Sequence, residues 1–360
     1  MGNKQIAVIG AGIIGRTHLD AIAETKGFAI AGIVEPASSG ESSSNQYGCR
    51  LFPSLNELIA DRPDGAIIAT PNETHVEIAV GLLEAGIPVL VEKPLAVTVD
   101  DTRDVLAAVE RLGVPAMTGH QRRYNPIVLK ARELAKAQQF GHLVQGSVLC
   151  SLKKPESYFE AAWRHQPGVG GPLLINMIHE IDLLRFIFGE VQEVTAITSN
   201  RERGFAVEDT AGAILTFRNG GLVTLSISDA ASAPWAWDIS ADENPGRFPA
   251  HAVQSHFFCG SDGAFSLPDL TLWSHPGEKS WTEAMRSEPV LVATENAYVN
   301  QIVHFGAVID GKTEPRCSAL DGARNVAIID AIKRSSAIGG RLALDQSGLK
   351  AQGVYQIGDV

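Results

Sequence analysis

The sequence predicts an α/β domain built on a parallel sheet, followed by an α+β domain built on a mostly antiparallel one. Three observations carry that expectation. The chain opens with the apolar run Gln5-Ile6-Ala7-Val8-Ile9, turns through Gly10-Ala11-Gly12-Ile13-Ile14-Gly15, and places Glu35 twenty residues beyond the last glycine. A strand, a GxGxxG turn, a helix start and an acid closing the next apolar run form the pattern of a dinucleotide-binding βαβ unit. Strand-length and helix-length patterns then alternate to about residue 120, as in a parallel sheet covered on both faces. Beyond about residue 125, strand-like stretches follow one another through a hairpin signal, as in an antiparallel sheet with helices on one face.

In the first domain, read as residues 1–123, strand-length apolar runs fall at 5–9, 28–34, 65–69, 87–91 and 114–118. Helical patterns lie near 13–25, 54–61, 74–85 and 98–112. Gly10 permits the tight turn, and Gly12 lets backbone approach a pyrophosphate at the positive end of the helix that starts near Ile13. Gly15 lets that helix pack against the sheet. Glu35 is placed to accept hydrogen bonds from ribose hydroxyls and would repel a 2′-phosphate. Pro36-Ala37-Ser38 brings no arginine to pair with one, so NAD is expected over NADP. The alternative is a glycine-rich structural turn that binds nothing. Thr98, followed by Asp100 and Asp101, is a helix start with acids at the positive end. The tract Ser38 to Ser44 is the one serine-rich stretch.

The second domain, read as residues 124–345, has helical patterns at 126–138, 173–188, 294–310 and 319–337. Its strand-like stretches are 142–151, 191–199, 207–218 and 221–229, with Asn219-Gly220-Gly221 as the hairpin turn between the last two. Residues 241–255 read as a long loop, and 346–360 as a C-terminal tail.

A chain of 360 residues is long for a single core, which agrees with two domains. The net charge of −11 and the lack of a basic stripe exclude a nucleic-acid surface. Cys49, Cys150, Cys259 and Cys317 are far apart, without zinc spacing, and read as reduced thiols of a cytoplasmic protein. No apolar run approaches the roughly 20 residues that span a bilayer. No signal-peptide pattern is present. Met1-Gly2 superficially resembles a myristoylation start, but Ile6 stands where that motif needs Ser or Thr.

Two segments carry chemistry. Val91-Glu92-Lys93-Pro94 closes a predicted parallel strand, where open α/β sheets bind ligands. An ammonium there can hydrogen-bond a substrate oxygen and stabilise developing charge. A surface Glu-Lys pair is the plainer alternative. The second segment runs from Gly170-Gly171-Pro172 into an apolar helix that carries Asn176, His179 and Asp182 at i, i+3 and i+6. His179 is the group there suited to take a proton from an alcohol near neutral pH. A core histidine satisfied by a carbonyl is the alternative.

Taken together, Gly10-Ala11-Gly12-Ile13-Ile14-Gly15, Thr70-Pro71-Asn72 with His75, Glu92-Lys93-Pro94 and Gly170-Gly171…His179-Glu180-Ile181-Asp182 resemble the Gfo/Idh/MocA oxidoreductases. The resemblance runs from residue 5 to at least 340. It implies a Rossmann domain followed by an open-faced mixed sheet with helices on one side. It implies NAD or NADP, and hydride transfer to or from a sugar, cyclitol or related hydroxy compound. The family's catalytic lysine and histidine map onto Lys93 and His179. Its cofactor contacts map onto Gly10, Gly12, Ile13, Ile14, Gly15, Glu35, Pro36, Thr70, Pro71, Asn72, His75, Glu92, Lys93 and Gln121. Many members carry an aspartate four residues before the histidine, where Ile175 stands here with Asn176 beside it. Asparagine can position a hydroxyl but cannot act as an acid or base. His179 is then expected to work with Lys93, with Asp182 orienting the imidazole.

Further expectations follow. His120-Gln121-Arg122-Arg123 lies at the crossover between domains, where the family places substrate or nicotinamide contacts, and the arginines are alternatively interdomain salt bridges. Trp163 and Arg164 precede the glycine turn and are read as substrate-side residues, together with Asn176, His120 and Asp182. Trp235 and Trp237 are read as sharing one face of a strand. His165, His179 and Asp182 match no standard metal spacing, so no metal is expected. The strands near 207–229 carry apolar residues on both faces and alternate poorly, which points to a homodimer or homotetramer. The expected partners are a small-molecule substrate and a second copy of the chain. The remaining alternatives are a dehydrogenase of a non-sugar substrate such as a cis-dihydrodiol carboxylate, favoured by Ile175 and Arg164, and a non-catalytic NAD-binding sensor.

Overall fold

The structure is a computed structural model in which residues 2–344 are described. Two compact units emerge. The first holds the chain up to Tyr124 together with Asn296–Ala327. The second holds Asn125–Glu295 and the described residues from Ile328 onward. The sequence-based division instead gave all of 124–345 to the second domain. The difference has a packing cause. Tyr298, Ile302 and Phe305 of the helix near 300 bury into the cluster formed by Ile6, Val8, Leu19 and Ile22. The proposed tail lies outside the described residues.

The first unit contains, in chain order, β1 (Lys4–Ile9), α1 (Ile13–Glu24), β2 (Phe28–Val34), α2 (Ser39–Tyr47), β3 (Leu51–Phe52), α3 (Leu55–Asp61), β4 (Gly65–Ile68), α4 (His75–Glu84), β5 (Val89–Glu92), α5 (Val99–Leu112) and β6 (Ala116–Gly119). The sheet order is β3-β2-β1-β4-β5-β6, and every pairing is parallel. The chain therefore reverses its winding between β1 and β4, the crevice where doubly wound sheets bind ligands. Strands β4 and β5 are buried on both faces, as their unbroken apolar runs required. Thr98 caps α5 by accepting from Asp101 N, with Asp100 and Asp101 in the first turn, as its sequence foretold. The serine-rich tract is helical beyond Ser38. It forms α2, and its small residues let it lie against β2, since a Cβ on Gly40 would stand 2.7 Å from Glu35 O.

The second unit begins with α6 (Pro126–Leu134), β7 (Leu143–Ser151), a π-turn over Leu173–Met177 and α7 (Ile178–Phe188). It continues with β8 (Val191–Ser199), β9 (Thr210–Phe217), β10 (Leu222–Ser228), the short α8 (Trp237–Ser240), β11 (His256–Gly260), β12 (Gly263–Leu267), β13 (Thr271–Ser274) and β14 (Arg286–Pro289). Helix α9 (Ala297–Ile309) and the start of α10 (Ala319–Ile338) belong to the first unit, and the rest of α10 and β15 (Leu342–Ala343) to the second. The nine-stranded sheet is ordered β14-β13-β12-β11-β7-β10-β9-β8-β15. It is antiparallel except for β10 beside β7. One face is packed by an aromatic cluster in which Phe188 meets Phe140, Phe217, Phe258 and Phe265.

The poor alternation expected of 207–229 is not observed. Burial along β9 and β10 alternates regularly, with Ala211, Ala213, Leu215 and Phe217 inward. What remains true is that the outward face is apolar too, since Ile214 and Leu222 stand on it. Trp235 and Trp237 do not share a strand face either. Trp237 opens α8 and is fully buried, while Trp235 is largely exposed. The meander β11 to β14 escaped the sequence reading because its strands are short and broken by glycine and proline. Among the described residues no helix is long and apolar enough to cross a membrane, and no group of three metal-ligating side chains assembles. None of the four cysteines forms a disulfide.

Candidate functional site

In the first unit, the predicted residues cluster at the carboxyl ends of β1, β2, β4 and β5. Gly10 has φ +93°, and a Cβ there would stand 2.5 Å from Ala69 O. A Cβ on Gly15 would overlap Gly10 O, so both positions require glycine for close packing. Gly12 faces open space and is the N-cap of α1, with no side-chain cap on the helix start. Ile13 is exposed and Ile14 half-buried beside it. Glu35 is held in the glycine loop: Oε2 accepts from Ala11 N at 2.8 Å, and Oε1 from Ala37 N at 3.0 Å. Pro36 and Pro71 are exposed, and Thr70 and Asn72 half-buried. Thr74 Oγ1 donates to Thr70 Oγ1 at 2.7 Å, closing the turn after β4. Backbone amides at an uncapped helix start, a wide approach at Gly12 and a carboxylate at the end of β2 fit an adenosine dinucleotide.

Lys93 follows β5 and is half-buried. Its backbone is tied by the preceding residue, since Lys93 N donates to Glu92 Oε2 at 3.2 Å. Glu92 Oε1 is bound in turn by His18 Nε2 from α1 at 2.7 Å. Burial works to raise the Glu92 pKa, but the His18 hydrogen bond, the His18 charge and the nearby Lys93 outweigh it and hold the pKa down. Glu92 is 7% exposed, so it fixes the lysine turn rather than presenting a carboxylate to the cofactor. His75 behaves alike. It is 1% exposed, and its ring nitrogens face Pro94 O at 2.8 Å and Thr70 O at 3.0 Å. It joins the turns after β4 and β5. Burial lowers its pKa, against its two carbonyl contacts.

The crossover residues are likewise interior. His120 is 1% exposed, with Nε2 3.1 Å from Asn325 Nδ2, and Gln121 is 6% exposed. Arg123 donates to Arg316 O at 2.7 Å and pairs with Asp321 at 3.3 Å, both partners lying in the first unit. His120 therefore links the β6 end to α10 and leaves no ring edge at the surface for substrate.

In the second unit, the glycine turn leads into the π-turn and α7. Gly171 has φ +87°, and Glu208 occupies the space a Cβ would take. Glu208 Oε1 accepts from Leu173 N at 3.1 Å, which satisfies a free amide at the helix start. Burial raises the Glu208 pKa, partly offset by Lys333. Glu180 pins the next turn, with Oε2 2.7 Å from His256 Nε2 on β11, both residues fully buried. The neighbouring His179 and Asn176 are half-buried, whereas Asp182 is 1% exposed. Asp182 thus lies on the buried side of α7.

Asn176 meets a residue the sequence reading missed. Lys154 Nζ, 7% exposed, donates to Asn176 Oδ1 at 2.7 Å and lies 3.8 Å from Asp229 Oδ2. Arg203 holds Asp229 from the other side, with Nε 2.9 Å from Oδ1. Lys154 and Arg164 both lie over the Tyr158 ring, at 4.6 and 4.1 Å. Trp163 is partly exposed and 5.5 Å from the Arg164 guanidinium. The available signal was Lys153-Lys154-Pro155 immediately after the strand 142–151.

A dinucleotide-binding domain with a lysine at a strand end, joined to an open-sheet domain with a histidine on a buried helix, defines a nicotinamide-dependent oxidoreductase. Residues 4–120 match the "Oxidoreductase family, NAD-binding Rossmann fold", and residues 128–245 match the "GFO/IDH/MocA C-terminal domain". The chain belongs to the Gfo/Idh/MocA family, whose first domain binds NAD. It is 29% identical over 348 residues to inositol 2-dehydrogenase of Corynebacterium glutamicum, covering 92% of this chain and 97% of that one. It is 26% identical over 367 residues to D-apiose dehydrogenase of Paraburkholderia graminis, covering 97% and 92%. Among solved structures it resembles the WlbA dehydrogenase of Bordetella pertussis in complex with NADH and UDP-GlcNAcA. That likeness has TM-score 0.77 and 21% identity, over 95% of this chain and 99% of that one.

Proposed function

We propose that this chain transfers hydride between the nicotinamide and a secondary alcohol or ketone of a sugar, cyclitol or related cyclic hydroxy compound. NAD, when bound, supplies the hydride acceptor. Lys93 donates a hydrogen bond to the substrate oxygen and stabilises negative charge as it develops. His179 accepts the hydroxyl proton and returns it in the reverse direction. Asn176 orients a neighbouring hydroxyl. The observation that carries this reading is the fixing of both turns. Glu92 and His75 immobilise the backbone around Lys93, and Glu180 anchors α7 beside His179. Such supports hold a reacting group in a productive geometry. A non-catalytic NAD sensor needs neither group. Screening NADH formation at 340 nm against a panel of polyols, cyclitols and hydroxy acids tests the reading. Turnover of none would refute it.

The reading includes self-association through the open face of the nine-stranded sheet. Ile197, Ile214, Leu222, Phe257 and Trp273 are 76, 45, 46, 39 and 41% exposed. The register puts them on one face with Thr195, Thr224 and Ser147, among few charges. An apolar face of that extent favours a second copy as its cover. A cytoplasmic location belongs to the same reading, to which four cysteines without a disulfide are suited.

A further inference from the structure

Among the described residues the nine-stranded sheet has one parallel pair, β7 beside β10. Parallel neighbours leave a sheet at the same edge, and the register sets Ser151 opposite Ser228. The two chain exits therefore run side by side. Leu152 N donates to Ser228 O at 3.0 Å, and Lys154 N to Asp229 O at 2.9 Å. Arg203 clamps both exits, its Nη2 donating to Lys154 O at 2.8 Å and to Asp229 O at 2.6 Å. The backbone of Lys154 is thus held at its N–H and at its carbonyl.

The side chain is held as well. Lys154 is 7% exposed, with Nζ 4.6 Å from the centre of the Tyr158 ring and 3.8 Å from Asp229 Oδ2. Asp229 is fixed in turn by Arg203 Nε, 2.9 Å from Oδ1. A long side chain loses much rotamer freedom in such a setting. What the ordering delivers is one N–H on Asn176 Oδ1 at 2.7 Å. An ammonium only donates, so the amide oxygen must face Lys154 and Nδ2 must face away. Asn176 is half-buried, and among the described residues its Nδ2 makes no hydrogen bond. An unheld asparagine can turn its amide over and offer either an acceptor or a donor at one point. With Oδ1 engaged, Asn176 offers N–H alone.

We propose that Lys154 is a positioning residue that locks the Asn176 amide as a donor, so that the substrate oxygen meeting it is an acceptor. This rests on the dehydrogenase reading, in which Asn176 orients a hydroxyl, and gives that contact its direction. A hydroxyl that accepts from Nδ2 keeps its own proton for another partner. Lys154 acts through the amide and not on the substrate.

Two arms test the lock, and the first needs no substrate. In isotope-labelled, NAD-loaded protein the Asn176 side-chain N–H pair is identified by its loss in N176A. Exchange between its two protons, followed by NMR, reports rotation about the amide C–N bond. A cation at the oxygen strengthens the double-bond character of that bond, so rotation should quicken about fivefold or more in K154M and less in K154R. The second arm is steady-state kinetics on the compound the unmodified enzyme oxidises fastest. K154M should raise KM about three- to tenfold and change kcat by less than about twofold, because a loose amide weakens binding and leaves the proton path alone. N176D keeps the shape and the Lys154 contact but lacks N–H, so its KM should rise at least as far. It decides the polarity should K154M not fold. K154M/N176A should match N176A, since the lysine acts through the amide. Equal rotation rates in the unmodified protein and K154M, a double variant whose KM rise is the product of the two singles, or an unchanged KM in N176D would overturn the proposal. If no compound is oxidised, the dehydrogenase reading falls, and the rotation rates still decide whether Lys154 locks the amide.

Discussion

Glu35→Ala perturbs the cofactor loop at its most connected point. The carboxylate accepts from Ala11 N at 2.8 Å and Ala37 N at 3.0 Å, joining the glycine turn to the segment after β2. A hydrogen bond to a charged group contributes about 1.5–3 kcal/mol when shielded and less in water. The Ala11 contact is partly buried and the Ala37 contact exposed. The pair together is therefore worth roughly 1.5–2.5 kcal/mol, toward the lower end of that scale. In Glu35→Ala the cofactor must order the loop itself, so the loss appears in binding. NADH affinity should fall about 10- to 60-fold. NADPH should fall less, because the carboxylate that repels a 2′-phosphate has gone with it. Titration by NADH and NADPH fluorescence measures both. An NADH affinity within twofold of the unmodified protein would refute the loop argument. Tighter NADPH than NADH binding by the unmodified protein would refute the cofactor assignment.

Three other outcomes are expected. His75 and His304 have lowered pKa values, chiefly through burial, with Arg316 adding to the effect at His304. The unfolded chain therefore takes up protons first, and stability should decline as pH falls below about 6.5, toward the folded pKa values. His75→Gln should flatten that decline in chemical-denaturation curves, and an unchanged slope would contradict it. Glu92 has a lowered pKa, so its contribution is present above about 4.5 and lost at lower pH; Glu92→Gln should remove that second loss, as thermal melts in acid would show. Ile214→Asp with Trp273→Asp, placed on the open sheet face, should shift the mass measured by light scattering toward a 38.4 kDa monomer, and a monomeric unmodified protein would refute self-association.

Much of the first unit was legible because its signals are local. The glycine turn, the apolar runs of β1, β4 and β5 and the Thr98 cap each depend on residues within a few positions. The contacts that fix the site are not local. His18 reaches Glu92 across 74 residues, and Lys154 reaches Asn176 across 22. Nothing in the spacing tells that His75 spends both nitrogens on carbonyls, or that Asp182 turns into the core. The i, i+3, i+6 spacing places Asn176, His179 and Asp182 on one side of a regular helix. The π-turn over Leu173–Met177, with Glu208 accepting from Leu173 N, puts Asn176 outside the regular helix that carries His179 and Asp182, and of the three Asp182 is the buried one. Helix α9, which the sequence groups with the second domain, lies in the first unit for a similar reason. Helix α9 returns to the first unit because Phe305 packs where Gly65 leaves room, a Cβ there standing 3.0 Å from its ring.

The central claim is that Lys93 and His179 act on one substrate oxygen. Steady-state kinetics of Lys93→Ala, His179→Ala and the double variant, on the compound the unmodified enzyme oxidises fastest, test it most directly. Each single change should lower kcat on the order of 10²–10⁴-fold while leaving NADH affinity nearly unchanged. The double variant should lose less than the product of the two, because both groups serve the same atom. A His179→Ala enzyme that keeps most of its kcat between pH 6 and 9 would show that the proton leaves by another route, and would contradict the account.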